Sequence, residues 1–103
     1  MIVEVKSKQQ LIDAIQYHGL VVVDFYAQWC GPCKTVSPIL EKLSDEYDEV
    51  KFLKVDVDAL SELTSEYEVT SMPTILFFKE GNKEGRVVGA NIPALRQVIA
   101  ALA

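Results

Sequence analysis

Residues 23–34 read VDFYAQWCGPCK, and the main features of the fold follow from this stretch. It contains most of an apolar run, LVVVDFYA at positions 20–27, whose β-branched residues predict a strand covered on both faces. Two cysteines follow at i and i+3, Cys30 and Cys33, and apolar residues at helical spacing then predict an amphipathic helix through 36–47. The stretch therefore predicts a central strand that delivers a cysteine pair to the start of a helix.

Strand and helix periodicities alternate along the rest of the chain, with no linker or repeat, so positions 1–103 are predicted to form one domain. The order β-α-β-α-β-α-β-β-α predicts an α/β sandwich around a mixed sheet. Before the central strand, we predict a strand over 2–5 and a helix that runs from a Ser7–Gln10 capping box to a C′ residue at Gly19. After the cysteine helix, we predict a strand over 50–57 and a short helix capped by Asp58. The chain is then predicted to form a hairpin of 74–78 and 85–88 and a last helix that is capped by Asn91 and has Pro93 in its first turn.

Composition narrows the class of protein. Half of the 103 residues are hydrophobic and 24% are charged, which excludes disordered and low-complexity classes. Ten Lys and Arg against fifteen Asp and Glu give a net charge of −5, so we expect no nucleic-acid partner. No apolar stretch approaches the roughly 20 residues of a membrane span, and Met1 leads into a strand-like segment without a signal-peptide pattern. We expect a cytoplasmic protein, although a processed organellar form would look the same.

The cysteine pair has the arrangement of a dithiol that cycles with a disulfide. Side chains at i and i+3 near a helix start lie about 5 to 6 Å apart, within reach of a disulfide. Cys30 is predicted just outside the helix, where unpaired N–H groups stabilise a thiolate, and so is predicted to be the nucleophile. Cys33, shielded one turn inside, is predicted to resolve the mixed disulfide. Pro32 stiffens the loop, Gly31 lets another chain approach, and Trp29 offers a flat apolar surface.

Two other interpretations of the cysteines remain open at this point. A zinc site needs four ligands, and His18, predicted to be a surface helix residue, is the only other soft ligand. An inert structural disulfide is the second alternative, although cysteines of a chain without a signal peptide are normally kept reduced.

Four separated segments resemble the thioredoxin family: VDFYAQWCGPCK at 23–34, KVDVD at 54–58, SMPT at 71–74 and VVGA at 87–90. The resemblance spans the whole chain in order. It implies the thioredoxin fold, a central five-stranded mixed sheet of order 1-3-2-4-5 flanked by four helices, with strand 5 partly antiparallel to its neighbours. It also implies a cis Met72–Pro73 peptide bond against the cysteine pair.

The resemblance also implies a function, the reduction of disulfides in client proteins, such as peroxiredoxin-like or reductase-type clients. It implies no bound cofactor and no metal, with NADPH used indirectly through a thioredoxin reductase that recharges the protein. We further expect a monomer. A disulfide-forming oxidase or isomerase is an alternative, but those relatives tend to carry His where Pro32 stands. A binding module that lends its groove to a partner without turnover is a second alternative.

A substrate groove is predicted beside the cysteines. Trp29, Met72, Pro73, Gly89 and Ala90 would form a shallow apolar surface, and Pro73 leaves no N–H to compete for the sulfur atoms. The alternative is that VVGA is only the end of a strand.

Asp24 is a carboxylate inside an apolar strand. Burial is expected to raise its pKa, which suits it to take a proton from Cys33 through a water molecule. The resemblance assigns an aspartate at this position that role and places Lys54 near it. The alternative is a purely structural salt bridge between Asp24 and Lys54. Two departures from the family pattern, Tyr26 and Ser37, are expected to lie outside the chemistry.

Overall fold

One mixed sheet carries helices on both faces in the computed structural model, which describes all residues from Met1 to Ala103. The strands are Ile2–Glu4 (β1), Val21–Tyr26 (β2), Lys51–Asp56 (β3), Thr74–Lys79 (β4) and Asn82–Val88 (β5). The helices are Lys8–Ala14 (α1), Gly31–Glu46 (α2), Ser61–Glu66 (α3) and Ile92–Leu102 (α4). None of these helices combines the length and apolar character needed to cross a bilayer.

The strand order is β1-β3-β2-β4-β5, which confirms the expected topology. β1 and β2 both run parallel to β3, whereas β4 is antiparallel to β2 and β5 is antiparallel to β4. The reversed strand is therefore β4, and β5 runs antiparallel along its only neighbour. Because β2 lies at the centre, its carboxyl end is flanked by strands on both sides.

The core forms two layers, one on each face of the sheet. Val22 of β2 packs with residues of α2 and α4, such as Leu40 and Ile99. Val23, one residue on, packs on the opposite face with residues of α1 and α3, including Leu11. This alternation is the expected behaviour of a central strand whose side chains point to both faces in turn. The prediction of a doubly covered strand is confirmed.

Helix α1 begins as predicted but ends early. Ser7 is its N-cap and accepts a hydrogen bond from the N–H of Gln10 at 3.1 Å. The helix stops at Ala14, so Gly19 is not its C′ residue, and that prediction is wrong. The N–H groups of Gln16 and Tyr17 bond to carbonyls three residues back, which tightens the chain and ends the helix. His18 is exposed as predicted, but it lies in a bend rather than a helix.

Helix α3 lacks the predicted cap. It begins at Ser61 with Leu60 as N-cap and no side-chain hydrogen bond there. Asp56 causes the difference, because its Oδ1 accepts the N–H of Asp58 at 2.9 Å and turns the chain before the helix starts. The Asp58 side chain instead accepts a hydrogen bond from Trp29.

The C-terminal elements follow their turn and cap signals. The β4–β5 hairpin turns at Glu80 and Gly81, which have φ angles of 51° and 83°. β5 begins at Asn82, earlier than predicted, because Asn82 already pairs with Lys79 across the two-residue turn. The pairing register shifts further along, between Phe77 and Phe78. Asn91 caps α4 by accepting the backbone N–H three residues on at 3.1 Å, as predicted.

Candidate active site

The cysteine pair lies where the loop after β2 enters α2. Cys30 is the N-cap residue of α2 in an extended conformation, and its Sγ accepts the N–H of Cys33 at 3.2 Å. The two cysteines form a disulfide with a Cα–Cα distance of 5.3 Å. Each residue is only 4% exposed, so burial in this oxidised state does not distinguish them. Their positions relative to α2 distinguish the two cysteines, because Cys30 lies outside the first helical turn and Cys33 lies inside it.

Gly31 and Pro32 form the exposed start of α2 between the cysteines. A Cβ atom added at Gly31 would meet nothing within 4 Å. Internal packing therefore does not require glycine there. Its effect is that no side chain projects from position 31, between the two cysteines. Pro32 occupies the first turn, where a missing N–H breaks no helical hydrogen bond.

The loop before β4 lies beside the pair. The Met72–Pro73 peptide bond is cis, as the resemblance implies. Met72 is half-buried and packs against the core cluster that contains both cysteines, and Pro73 is buried. The N–H of Gly89 donates to the Pro73 carbonyl at 2.8 Å, which ties the end of β5 to this loop. Gly89 has φ +84°, a conformation that favours glycine, and Ala90 beyond it is exposed.

Trp29 presents an exposed apolar surface next to Cys30. Its side chain is held by a hydrogen bond from indole Nε1 to Asp58 Oδ2 at 2.9 Å, although the residue is 68% exposed. Val88, which precedes Gly89 at the end of β5, is another large apolar residue with much of its surface exposed, at 52%. Sequence reasoning did not single out Val88. The period-2 alternation with buried Val87 was the signal that could have found it.

Asp24, on β2, lines the same cleft as Cys33. The residue is 4% exposed, and its Oδ1 has no hydrogen-bond partner. Burial raises the pKa of the Asp24 carboxyl from an ordinary value of 3.8 to about 7, and the Lys54 ammonium opposes this rise. Asp24, Cys33 and Lys54 line one cleft of about 320 Å³. The structure therefore brings together the three residues that the sequence placed in one proton-transfer step.

The predicted alternative for Asp24, a salt bridge with Lys54, does not form. Lys54 Nζ lies 3.9 Å from Glu4 Oε1, and no ion pair within 4 Å joins it to Asp24. Lys54 also lies over the Tyr26 ring, 5.7 Å from its centroid. Asp24 is therefore a buried carboxyl without a direct ionic partner.

Tyr26 and Ser37, expected to lie away from the chemistry, both line the same cleft as Asp24 and Cys33. Simple periodicity explains both positions. Tyr26 is two residues beyond Asp24 on a strand and so shares its face, and Ser37 is four residues beyond Cys33 on a helix. The Tyr26 hydroxyl is 3.0 Å from each carboxylate oxygen of Glu4, to which it donates. Sequence reasoning missed Glu4 entirely.

No group of three or more His, Cys, Asp and Glu side chains in the structure is placed to hold a metal ion. His18, the residue considered as a further ligand, is exposed and lies against Tyr17 with ring centroids 4.5 Å apart. The cysteine pair instead has its sulfur atoms joined to each other.

Comparison with known proteins agrees with this geometry. The thioredoxin family model matches residues 2–101. The chain belongs to the thioredoxin family. Among its thioredoxin relatives, Thioredoxin-1 of Saccharomyces cerevisiae is 48% identical over 98% of both chains, and human thioredoxin is 46% identical over 96% of both. The X-ray structure of Fasciola hepatica thioredoxin superimposes with a TM-score of 0.94 at 42% identity, covering 98% of this chain and 99% of that one.

Family membership and the cysteine pair together establish the general activity. This thioredoxin is a thiol-disulfide oxidoreductase, and Cys30 and Cys33 are its redox-active pair. Thioredoxins need no bound cofactor, and they work with thioredoxin reductase and disulfide-containing clients.

Proposed function

We propose that this thioredoxin reduces client disulfides in two exchange steps, with Cys30 as the nucleophile and Cys33 as the resolving thiol. The observation that carries the assignment is the N-cap position of Cys30, whose sulfur accepts the Cys33 N–H. The same N–H would stabilise a Cys30 thiolate in the reduced protein, together with the positive end of the α2 dipole. Cys33, inside the helix, is held within reach of Cys30 for the second step.

The steps balance as follows. The Cys30 thiolate attacks one sulfur of a client disulfide, forming a mixed disulfide and releasing the other client sulfur as a thiolate, which takes up a proton. The Cys33 thiol then loses its proton and attacks Cys30 Sγ, which breaks the mixed disulfide and releases the second client sulfur as a thiolate that takes up a proton. Two electrons pass to the client, and the Cys30–Cys33 disulfide forms.

Asp24 is proposed as the acceptor of the Cys33 proton, through a water molecule in the cleft that both residues line. A base works best when its pKa lies near the operating pH, and the Asp24 pKa of about 7 meets this condition. Its buried Oδ1 has no hydrogen-bond partner, and a bridging water molecule would supply one. Lys54, at its present position, limits the rise of the Asp24 pKa, so that part of the Asp24 population is ionised near neutral pH.

A shallow groove around the disulfide is proposed to receive the client. Gly31 and Pro32 have no long side chains that would block access to the disulfide, and Pro73 carries no N–H that could bond to the sulfur atoms. The hydrogen bond from Gly89 to Pro73 supports the proposal, since it joins two of the predicted groove segments. The predicted members are Trp29, Met72, Pro73, Gly89 and Ala90.

The cellular setting belongs to the same proposal. A thioredoxin reductase would return two electrons from NADPH to the Cys30–Cys33 disulfide, and peroxiredoxin-like proteins are candidate clients. A structural neighbour at TM-score 0.93 comes from work on a yeast mitochondrial 1-Cys peroxiredoxin and its resolution through glutathione and thioredoxin systems. We propose a cytoplasmic monomer with residues 1–103 as one domain. Another structural neighbour is mitochondrial Thioredoxin 3 of Saccharomyces cerevisiae, and this likeness supports the alternative of a processed organellar form.

The central test is insulin reduction with NADPH and thioredoxin reductase. We expect turnover by the wild type and its loss in Cys30→Ser, because no thiolate then starts the exchange. Cys33→Ser is the matched variant: it should also stop turnover, but it should accumulate a mixed disulfide between Cys30 and the client. A mixed disulfide trapped by Cys30→Ser instead would reverse the two roles, and an inactive wild type would overturn the function.

The groove is tested at Ala90, where the exposed side chain can be enlarged without the backbone strain expected at Gly89. Ala90→Asp should weaken reduction of insulin more than reduction of a small aromatic disulfide, because only the protein client covers the groove. Ala100→Asp, at an exposed position on α4, is the matched control. Equal losses on both substrates would contradict the groove.

A further inference from the structure

Three charged residues form a row across adjacent strands of the sheet. Lys54 on β3 is paired in register with Glu4 on β1 and with Asp24 on β2. Residues paired directly across neighbouring strands point to the same face. A single ammonium group therefore lies between two carboxyl groups, one on each neighbouring strand, and it can approach either.

The structure shows which carboxylate Lys54 selects. Its Nζ lies within 3.9 Å of Glu4, and Asp24 has no ion pair. Glu4 is itself held in place, because the Tyr26 hydroxyl is 3.0 Å from each of its carboxylate oxygens. Burial and then the Glu4 hydrogen bond raise the pKa of Tyr26 above its ordinary value, so the hydroxyl remains a donor. The Glu4 and Lys54 side chains are 27% and 38% exposed, which makes their charges far less costly than that of buried Asp24.

We propose that Glu4 is a positioning residue of the exchange reaction: fixed by Tyr26, it holds the Lys54 ammonium on the β1 side of the row and so keeps Asp24 free to accept a proton. The inference rests on the proposed role of Asp24. Without Glu4, the remaining carboxylate paired in register with Lys54 is Asp24. Asp56, two residues further along β3, already accepts hydrogen bonds from the Gln28 side chain and from the N–H groups of Asp58 and Ala59, so Lys54 would move toward Asp24.

The consequence for catalysis follows from the charge of the ammonium. An opposite charge brought close to a carboxylate favours its ionised form and makes it a weaker base. The other elements around Asp24 add Cys33 and Lys34 from α2, which line the cleft, while its β4 neighbour is the apolar Ile75. Lys34 is exposed at the helix surface. Lys54 is the cation whose field reaches the Asp24 carboxyl, and its position is the variable that Glu4 controls.

A direct test measures the Asp24 pKa by carbon-13 NMR titration of its carboxyl group in the oxidised protein. Nearby opposite charge lowers an aspartate pKa by about 1 to 3 units, so in Glu4→Gln we expect a fall of about one unit. Lys54→Met should raise the pKa. In the Lys54→Met background, Glu4→Gln should have little further effect, because Glu4 then has no ammonium to hold. Glu66→Gln is the matched control, since Glu66 pairs with Lys8 at 2.9 Å on the surface of α3.

An unchanged or raised Asp24 pKa in Glu4→Gln would overturn the inference. So would an equal fall with and without Lys54, which would mean that Glu4 acts through its own charge. The acid limb of the insulin-reduction pH profile should move to lower pH with the Asp24 pKa in Glu4→Gln, and a profile that stays in place would remove Glu4 from the reaction. The titration requires no turnover, so its result is independent of whether the protein reduces insulin at all.

Discussion

Consecutive residues of β2, the valines at 21–23 and then Asp24, have opposite effects on stability. Val21, Val22 and Val23 are apolar, no more than 1% exposed, and fully covered by the two layers of the core. Asp24 follows directly, equally enclosed, but with a carboxyl oxygen that has no hydrogen-bond partner. The valines stabilise the fold, and Asp24 holds a group that the fold would be more stable without. The difference indicates where the molecule gives up stability for chemistry.

Approximate free energies explain why β2 can contain a buried carboxyl group. A pKa that rises from 3.8 to about 7 corresponds, at about 1.4 kcal/mol per unit, to roughly 4 kcal/mol of destabilisation when Asp24 is ionised. Burial of a valine side chain contributes about 1.5 kcal/mol or more. Burial of the three valines is therefore of the same order as the cost of ionised Asp24.

The largest expected effect comes from removing the charge. Asp24→Asn should increase the free energy of unfolding by up to about 4 kcal/mol at pH 8 and change it little at pH 4. The sign follows from the raised pKa: between pH 4 and 7 the folded state binds the Asp24 proton more tightly than the unfolded state. Wild-type stability is therefore lost as pH rises through this window. Urea denaturation of the oxidised protein at both pH values measures the difference.

Asp48→Asn is the matched control for that experiment, because Asp48 is exposed. It should show no gain at either pH. A gain in Asp24→Asn of the same size at pH 4 and pH 8 would contradict a titrating, buried Asp24. Turnover of insulin should slow in Asp24→Asn, and unchanged turnover across pH would leave Asp24 without a part in the reaction.

A smaller effect of opposite sign is expected at the valines. Val23→Ala removes two buried methyl groups and leaves a cavity, so it should lower the free energy of unfolding by about 2 to 3 kcal/mol. The loss should be equal at pH 4 and pH 8, because no titrating group is involved. A pH-dependent loss, measured by the same urea denaturation, would mean that the valines and Asp24 are coupled rather than independent.

The smallest expected change in stability comes from Tyr26, the last residue of β2. Tyr26→Phe keeps the ring but removes the hydroxyl that donates to Glu4, and should lower the free energy of unfolding at pH 7 by about 1 kcal/mol. Tyr17→Phe provides a comparison, since that hydroxyl donates to the Glu49 carbonyl, a neutral acceptor, at 2.7 Å. A larger loss in Tyr17→Phe would show that the charged acceptor adds no strength at Tyr26.

Local signals in the sequence predicted most of the elements and failed at two helix boundaries. The valines of β2, the Ser7 and Asn91 caps and the cysteine spacing all act within a few residues, so the sequence contained the information. Gly19 and Asp58 failed because other nearby hydrogen bonds intervened, from the tightened end of α1 and from the Asp56 turn. A potential cap is realised only when no competing partner is closer.

The sequence by itself determined that a dithiol stands at the start of a helix after a buried strand, and that this strand carries a carboxyl group. The family resemblance placed Lys54 near that carboxyl, and only the tertiary structure showed that Glu4 lies on the other side of Lys54. Glu4, Asp24 and Lys54 are far apart along the chain, and parallel pairing of β1, β3 and β2 sets them side by side. These parallel pairings join segments that are distant in sequence, so no pattern within one strand identifies its neighbours across the sheet. The choice of Lys54 between two carboxyl groups was therefore visible only in the folded molecule.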